Sequence, residues 1–405
     1  MSDVFSPAVR FKDCTDAWKL CKLGEIGSVA MCRRIFKHQT SSSGDIPFFK
    51  IGTFGGEPDA FISRELFEEY KAKYPYPDNG DILISASGSI GRTVEFTGKN
   101  EYFQDSNIVW LKHDKSIINP FLRHLYSVVE WAGIEGSTIK RLYNDNILKT
   151  EVMLPSVQEQ AKIAEMLDGI DSLITLHQRK YTKLKNYKSA IANKIFPTIG
   201  QQPVLRIIDK EPWKEVPLSE IGDYFSTDSL GYADLIEDGK YKCLLYGDLY
   251  TKYNEKVINV KSSTDKLVTK LFKGDILFPT STTVDAFSLI APSSVCEDDI
   301  YAGGDLFGIR PKVGVNGTFV SYYINNKHSL KNSLSKNAQG LTIVHIHYDN
   351  IKDEKIMLPE YDEQIAIVSL FTALDNLIES ENNYINKLKI IKQAFLSKMF
   401  VEVEA

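Results

Sequence analysis

The chain has 405 residues and a net charge of −5 at pH 7. The length is sufficient for two or three domains. The negative net charge argues against tight nonspecific nucleic-acid binding by this chain alone. Its hydrophobic fraction of 43% and charged fraction of 25% are those of an ordinary globular protein, without an apolar run near the roughly 18–20 residues of a membrane helix. Five cysteines without a CxxC pair argue against a disulfide framework or a cysteine zinc site, so we expect a reducing cytoplasm.

The predicted elements begin with a block of mixed character. Short β-rich runs occur at 82–85 (ILIS) and 107–111 (NIVWL), and each is bounded by turn-forming residues. Helical patterns occur at 63–74 and 121–133. This density of strands and turns predicts a modest, mostly antiparallel sheet with accompanying helices.

Small and basic side chains in this block are the candidates for DNA contact. The segment after the ILIS run is made of small hydroxyl residues and glycines, which allow a backbone to approach DNA closely, and Arg92 at its end suits a phosphate or a guanine. The candidate DNA-binding residues of the block are Arg33, Arg34, Lys37, His38, Ser85, Ser87, Ser89, Arg92, Lys140 and Arg141. The alternative for each charged cluster is a solvated surface.

A long helix is predicted after the block. Pro155 suits the approach to a helix, Glu159 and Gln160 suit its first turn, and no proline interrupts the following residues. About 41 residues at ~1.5 Å each would form a rod of roughly 60 Å. Six basic residues and no acid follow residue 177, at Arg179, Lys180, Lys183, Lys185, Lys188 and Lys194. Three alternatives are open for this half of the helix: it contacts DNA, it contacts an acidic partner, or it is a solvated surface.

A second mixed block follows. Short strands are expected at 275–278 and 306–309, and a helix at 319–334. Its candidate DNA-binding residues are Lys240, Lys242, Thr280, Ser281, Thr282 and Thr283. His345 and His347 alternate with apolar residues, which favours one face of a strand over a metal site, so no metal ligand is predicted.

The end of the chain repeats its middle. Residues 358–400 align with 154–196 without a gap, and fifteen of the 43 pairs are identical. Two heptad positions recur in both segments and predict a coiled-coil seam, with an ordinary buried helix hairpin as the alternative. The first position holds Ile163, Ile170, Leu184 and Ile191, then Ile367, Leu374, Leu388 and Phe395. The second holds Met166, Leu173 and Tyr187, then Leu370, Leu377, Tyr384 and Ile391.

One heptad position is polar in both copies, at His177 and Glu381. If the two helices pair antiparallel with their ends flush, these side chains lie within a turn of each other and would set the register. The alternative is that both point at solvent.

Motifs for catalysis are largely missing from the sequence. It contains no GxxxxGK[ST] phosphate loop, no GxGxxG after a strand, no nucleophile elbow and no HExxH. Pro58-Asp59 followed by Glu69-Tyr70-Lys71 spells the PD…ExK pattern of Mg²⁺-dependent nucleases. Glu69 and Lys71 lie in a helix-like run, however, and that chemistry needs a strand.

Two copies of Gly-x-Thr followed by Leu-Pro-x3-Glu-Gln-x2-Ile precede or begin the long helices. The first comprises Gly136, Thr138, Leu154, Pro155, Glu159, Gln160 and Ile163, and the second Gly340, Thr342, Leu358, Pro359, Glu363, Gln364 and Ile367. With the two-unit layout, this pattern resembles the specificity subunit of type I restriction-modification enzymes. The sequence departs from that family at Glu360-Tyr361-Asp362, where a proline and a leucine are often found.

The resemblance implies an α+β, pseudo-two-fold fold with two tandem target-recognition domains, separated by two long helices paired as an antiparallel coiled coil. The expected divisions are a first recognition domain at 1–153, a spacer helix at 154–198, a linker at 199–210, a second recognition domain at 211–357 and a second spacer helix at 358–405.

The resemblance also implies a non-catalytic subunit in the cytoplasm. Each recognition domain would read one half of a bipartite double-stranded DNA target, while the helices set the spacing and dock two methyltransferase subunits. Those partners would bind S-adenosylmethionine and methylate adenine N6, and two restriction or motor subunits would use ATP and Mg²⁺. No cofactor is expected in this chain. The alternatives are an autonomous Mg²⁺-dependent endonuclease and a coiled-coil adaptor without DNA specificity.

Overall fold

The computed structural model describes residues 6–88, 90–133, 141–208 and 211–401. The chain divides into two compact units. Unit 1 comprises residues 1–177 and 383–405, and unit 2 comprises residues 178–382. Among the described residues, no helix combines the length and apolar content needed to cross a membrane.

Unit 1 contains nine strands and four short helices among its described residues, apart from the long helices. The strands are β1 (Lys19–Lys22), β2 (Gly27–Met31), β3 (Ile46–Phe49), β4 (Phe61–Ile62), β5 (Ile82–Ser85), β6 (Thr93–Glu95), β7 (Tyr102–Phe103), β8 (Ile108–His113) and β9 (Glu151–Leu154). The helices are α1 (Leu23–Ile26), α2 (Arg64–Lys73), α3 (Asn119–Leu125) and α4 (Asn144–Lys149), with a 3₁₀ turn at Lys37–Gln39.

The strands of unit 1 form an antiparallel four-stranded sheet in the order β2-β8-β5-β6, a three-stranded sheet β4-β3-β7 and the pair β1-β9. Side chains alternate across β8, so Val109 packs into one core cluster while Ile108 and Trp110 pack into another. The predicted sheet is confirmed. The predicted helix at 121–133 is wrong beyond Leu125, where α3 ends, although its apolar residues still enter the core.

The first long helix, α5, covers Val157–Ile195. The strands that follow it in unit 2 are β10 (Lys214–Pro217), β11 (Gly222–Ser226), β12 (Tyr241–Leu245), β13 (Lys256–Val257), β14 (Ser263–Thr264), β15 (Thr269–Lys270), β16 (Ile276–Pro279), β17 (Ser281–Thr282), β18 (Ser293–Val295), β19 (Ile300–Gly303), β20 (Leu306–Pro311), β21 (Val344–His345) and β22 (Lys355–Leu358). Its short helices are α6 (Leu218–Ile221), α7 (Asp248–Thr251), α8 (Ala286–Leu289), α9 (Gly317–Asn326), α10 (His328–Ser335) and α11 (Tyr348–Ile351), with a 3₁₀ turn at Tyr232–Asp234. The second long helix, α12, covers Tyr361–Met399.

Unit 2 repeats the plan of unit 1 with additions. Its sheets are β11-β20-β16-β18-β13, β14-β12-β19-β15 and the pairs β17-β21 and β10-β22. The pair β10-β22 corresponds to β1-β9, since each joins the start of a block to the residues before a long helix. The helix predicted at 319–334 is two helices, α9 and α10, which meet at Lys327.

The Gln of each Glu-Gln pair joins its long helix to the preceding block. Gln160 Nε2 donates to the carbonyl oxygens of Pro155 (3.0 Å) and Ser116 (2.8 Å), and Gln160 Oε1 accepts from the backbone N–H of Ile118 (3.0 Å). Gln364 repeats all three bonds, with Pro359 (2.9 Å), Gly314 (3.0 Å) and Asn316 (2.8 Å). Both amides are completely buried. The repeated motif therefore anchors the start of each helix.

The Glu of each pair is a buried ion-pair partner. Glu159 accepts two bonds from the guanidinium of Arg10, from Nε and Nη2, both at 2.7 Å. Glu363 accepts from Arg206 at 3.3 Å (Nε) and 2.6 Å (Nη2), and from Trp213 Nε1 at 3.0 Å. In each unit, this carboxylate therefore links the long helix to the segment that precedes the mixed block, through Arg10 in unit 1 and Arg206 in unit 2.

Within each unit, portions of α5 and α12 pack antiparallel. In unit 1, Lys392 Nζ lies 2.6 and 2.8 Å from the two carboxylate oxygens of Asp171. In unit 2, Lys188 Nζ lies 2.7 Å from Asp375 Oδ1. Each residue of one ion pair is 204 positions from its counterpart in the other, so the internal repeat extends to the contacts between the helices.

The register differs from the flush pairing expected from the sequence. In unit 1, the ring of His177 contacts that of Tyr384 with centroids 4.3 Å apart and planes tilted by 40°, whereas flush ends would place residue 379 opposite it. In unit 2, Glu381 Oε1 pairs with Lys180 Nζ at 2.9 Å. His177 and Glu381 thus contact the neighbouring helix within their own units, and a contact between the two of them stays a prediction.

The first heptad position is buried or partly buried, as predicted, whereas burial of the second is confirmed only at Met166 and Leu370. Leu173, Leu377 and Tyr187 are 42–60% exposed, while residues one position further along, such as Leu167 and Ile174, are buried. A period of 3.6 residues shifts the buried stripe away from an ideal seven-residue repeat.

Charge is segregated along each long helix. Residues 157–177 carry four acidic and one basic side chain, and 178–195 carry six basic and none acidic. Residues 361–382 carry five acidic side chains, and 383–399 carry four basic ones. Within each unit, antiparallel packing therefore sets an acidic portion against a basic one, and each sign also suits its end of the helix dipole.

Candidate nucleic-acid interface

The same tight turn precedes a central strand in both units. Ser106 has a φ of +49° and is followed by Asn107 at the start of β8, while Gly304 has a φ of +89° and is followed by Asp305 at the start of β20. The left-handed conformation is unusual for a residue other than glycine. Ser106 nevertheless adopts it at the position where unit 2 has Gly304, which indicates that the fold requires this turn.

A serine hydroxyl is bonded to each of these turns. Ser87 Oγ donates to Asn107 Oδ1 at 2.9 Å, and Ser281 Oγ donates to Asp305 Oδ2 at 2.9 Å. Both serines come from the segment after a buried strand, β5 in unit 1 and β16 in unit 2. The bonds are equivalent although the acceptor is an amide in one unit and a carboxylate in the other.

A third residue completes each arrangement. Ser87 forms an antiparallel bridge with Arg141, and Ser281 pairs with His345 in the β17–β21 ladder. Arg141 and His345 are 204 positions apart, and both are exposed. The two units therefore place different polar side chains on one common backbone framework.

Two adjacent clefts lie on unit 1, and the first is lined by the framework residues Asn107 and Arg141. One, of about 590 Å³, is lined by residues that include Asn107, Arg141 and Tyr143. The other, of about 410 Å³, is lined by Arg33, Arg34, Phe36, Tyr74 and neighbouring residues. Met31 lines both clefts, so together they form one surface that carries basic and aromatic side chains along with Asp105 and Asp145.

The predicted residues at 33–38 lie on this surface. The guanidinium of Arg33 is 5.2 Å from the ring centroid of Tyr74, and that of Arg34 is 5.9 Å from Phe36. The ring of His38 stacks on that of Phe36, with centroids 5.9 Å apart. Lys37 and His38 both belong to the exposed 3₁₀ turn Lys37–Gln39. Arginine and aromatic side chains held together in this way suit phosphate binding and base stacking.

The loop after β5 divides into a supporting and an exposed part. Ser85 is completely buried, and its hydroxyl accepts from the backbone N–H of Arg92 at 3.0 Å. Arg92 is exposed and donates from Nη2 to the carbonyl oxygen of Ile51 at 2.9 Å, while its guanidinium lies 5.5 Å from the Phe54 ring. Ser85 thus positions the loop, and Arg92 faces solvent. Two predicted residues, Ser89 and Lys140, lie outside the described residues.

In unit 2, the predicted residues lie in two places. Thr280 is half-buried, Ser281 and Thr282 are buried, and Thr283 is exposed. Lys240 and Lys242 are exposed at the start of β12, in the other sheet. Burial raises the pKa of Tyr250, whose phenol contacts the Thr282 hydroxyl near Asp305.

The sequence reading missed Asn107, Asp305, Tyr143, Tyr250 and the pairing of His345 with Ser281. Aligning the two units at the 204-residue offset would have matched Arg141 with His345, which is a signal available without the structure. The serine bonds to Asn107 and Asp305 had no such signal, because they join residues that are 20 and 24 positions apart in the chain.

The nuclease pattern does not form a catalytic group. Asp59 pairs with Lys50 at 2.8 Å, and Glu69 pairs with Lys73 at 3.0 Å on the exposed side of α2, which is a helix and not a strand. Ile346 is buried between two exposed histidines, as the alternation predicts, but the strand covers only Val344–His345, and His347 is the N-cap of α11.

Among the described residues, His124, Asp168 and Asp171 form a group with metal-ligand spacing. Its carboxylates are already paired with cations, Asp168 with Arg123 and Asp171 with Lys392. Burial lowers the pKa of His124, which keeps the ring neutral within this cluster of charges. The group is an ion-pair network whose two carboxylates belong to α5.

Comparison with known proteins gives two matches to one family. Residues 15–186 and 210–390 each match the model of the type I restriction modification DNA specificity domain. A type I restriction enzyme specificity subunit of Haemophilus influenzae is 58% identical over 156 residues, which are 38% of this chain and 40% of that protein. The MjaX specificity subunit of Methanocaldococcus jannaschii is 26% identical over 391 residues, which cover 88% of this chain and 84% of that protein.

Solved structures share the fold. The S subunit of a type I restriction-modification system from M. genitalium superposes with a TM-score of 0.62 at 15% identity, covering 98% of this chain and 100% of that one. A chain from a study of complex assembly and conformational transition of the type I system has a TM-score of 0.55 at 16% identity, covering 96% and 99%. The predicted α+β fold with tandem domains and long helices is confirmed.

Proposed function

This chain belongs to the type I restriction modification DNA specificity family and carries two copies of its domain, and we propose that each unit reads one half of a bipartite DNA target. The family function is sequence recognition, with catalysis left to other subunits. The observation that carries the proposal is the common framework of Ser87, Asn107 and Arg141 in unit 1 and of Ser281, Asp305 and His345 in unit 2. A framework repeated with different side chains suits two readers of different sequences.

We further propose the division of labour within the assembled enzyme. Two methyltransferase subunits bind the long helices, supply S-adenosylmethionine and methylate adenine N6, while restriction subunits, where present, use ATP and Mg²⁺. This chain supplies no cofactor and acts in the cytoplasm, where its DNA lies. The net charge of −5 supports shared binding, because basic partners can complete a DNA channel that an acidic chain cannot form alone.

The proposal is tested by purifying the chain with the subunits encoded beside it and sequencing the methylated bases of the host genome. We expect a bipartite adenine motif that disappears when this gene is deleted. Replacing residues 1–153 with the corresponding block of another family member is expected to change one half of the motif and leave the other half unchanged. A motif that survives the deletion, or cutting of DNA by this chain with Mg²⁺ alone, would refute the proposal.

Arg33 is expected to contact phosphate. The substitution Arg33→Ala should weaken DNA binding by the assembled methyltransferase to a similar extent on all sequences, because a phosphate contact carries no base information. The slope of log K against log salt concentration should fall by about 0.9, which corresponds to one phosphate contact.

The matched control for Arg33 is Arg64→Ala. Arg64 is another exposed arginine of unit 1, which lies on α2 and pairs with Asp45 at 3.7 Å. It should leave the salt slope unchanged. An equal change of slope in both variants would show a general effect of net charge and would argue against a contact at Arg33.

A further inference from the structure

The two serine-bonded turns present hydrogen-bonding groups of opposite polarity. In unit 1, Asn107 Oδ1 accepts from Ser87, which leaves the amide nitrogen, and that atom can only donate. In unit 2, Asp305 Oδ2 accepts from Ser281, which leaves Oδ1, and that atom of a carboxylate can only accept. Within the described part of the chain, Asp305 Oδ1 makes no hydrogen bond. The serine thus orients each side chain and determines which of its atoms is available.

The neighbouring side chain in unit 1 has the same polarity as the turn. Arg141, bridged to Ser87, carries only donors, and it lines the 590 Å³ cleft together with Asn107. In unit 2 the imidazole of His345 takes the place of the guanidinium. The exposed carboxylate of Asp305 gives this framework a negative charge. On these framework residues, unit 1 therefore presents donors, whereas unit 2 presents the acceptor oxygen of Asp305.

Base edges in the major groove discriminate between these two sites. Guanine presents two acceptors, N7 and O6, whereas cytosine and adenine each present an exocyclic amino group as a donor. A pair of donors such as Asn107 Nδ2 and the guanidinium of Arg141 matches guanine. A carboxylate such as that of Asp305 matches the amino group of cytosine or adenine and would meet repulsion at guanine O6.

We propose that Asn107 and Asp305 are equivalent specificity-determining residues, with Asn107 selecting guanine in one half-site and Asp305 selecting an amino-bearing base, cytosine or adenine, in the other. This inference rests on the proposed function, since it assigns residues to the two readers. The internal repeat provides the comparison. A backbone position that is held by the same turn and the same serine bond, but carries a different hydrogen-bonding group, is a position where sequence preference changes without a change of fold.

The test exchanges the two groups in the intact chain, assembled with its methyltransferase subunits. Asn107→Asp and Asp305→Asn keep the size of the side chain and the acceptor for the serine hydroxyl. Methylation is measured on duplexes that carry the native bipartite motif, and on a set in which each base pair is changed in turn. We expect Asn107→Asp to lower methylation of the native duplex by about 10- to 100-fold and to restore it where one guanine of a single half-site is replaced by cytosine or adenine.

Asp305→Asn should produce the reverse change, from an amino-bearing base to guanine, in the other half-site only. The unchanged half-site reports that each variant is folded and assembled. As a second pair, Asn107→Ala and Asp305→Ala should relax the preference at the same single positions. Native base preferences retained in all four variants would overturn the inference while leaving the two-reader function intact. The absence of any bipartite motif in the wild type would overturn the proposed function itself.

Discussion

Inserting four helix-forming residues into each long helix, between 177 and 178 and between 382 and 383, is expected to lengthen the spacer of the DNA target by about one or two base pairs. Both helices pass from one unit to the other at these points of the chain. Four residues add about 6 Å to a helix, and DNA rises about 3.4 Å per base pair. Each helix of 39 residues is about 58 Å long, somewhat less than two DNA turns of ~34–36 Å.

The measurement is the methylated motif of the variant, determined from the host genome. Both half-sites should be retained, because the framework residues of each unit are untouched, and only the number of unspecified bases between them should increase. The matched control inserts the same four residues into the connection after α5, within 199–208, where they add chain but no helical length. A spacer that stays the same in the helix variant, or one that grows equally in the control, would reject a role of the helices in setting the spacing.

The second large effect is expected from Glu363. Replacing it with alanine should lower the free energy of unfolding by about 3–5 kcal/mol, because the substitution leaves the guanidinium of Arg206 beside an apolar side chain and removes the acceptor of Trp213 Nε1. Glu363 is 1% exposed, so its charge is available to these neighbours with little screening by solvent. The change is measured by urea denaturation of the intact chain, with fluorescence and circular dichroism followed together.

Glu360→Ala is the control for Glu363. Its carboxylate pairs with Lys214 at 3.3 Å, but both side chains are more than half exposed. An exposed pair of this kind contributes about 0–1 kcal/mol, so the control should unfold near the wild-type denaturant concentration. Glu159→Ala should lower the free energy of unfolding in the same direction but by less, because Arg10 forms the same two bonds in unit 1 whereas Trp18 Nε1 makes no bond to Glu159. An equal loss of unfolding free energy in Glu360→Ala and Glu363→Ala would show that the buried ion pair stabilises the fold no more than the exposed one.

The long helices and the strands of this chain were readable from its sequence because their signals are local. The periodic apolar residues, the prolines before each helix and the repeat of 204 residues identify α5 and α12, and short β-rich runs identify β5, β8, β16 and β20. The exact seam was not readable. Which apolar residues face the partner helix depends on the geometry of two helices together, so Leu173 and Leu377 are exposed although both occupy a heptad position.

The sequence by itself determined that two similar mixed blocks are each followed by a long helix, and that charge is divided along each helix. Only the tertiary structure decided which polar residues act together. Asn107 and Asp305 carried no motif, and they gained a candidate role because strand pairing brings each of them to a serine hydroxyl and fixes the atom left for a ligand. The physical reason is that periodicity and turn preference act over a few neighbouring residues, whereas hydrogen-bond polarity at a surface depends on partners that the folded sheet brings together.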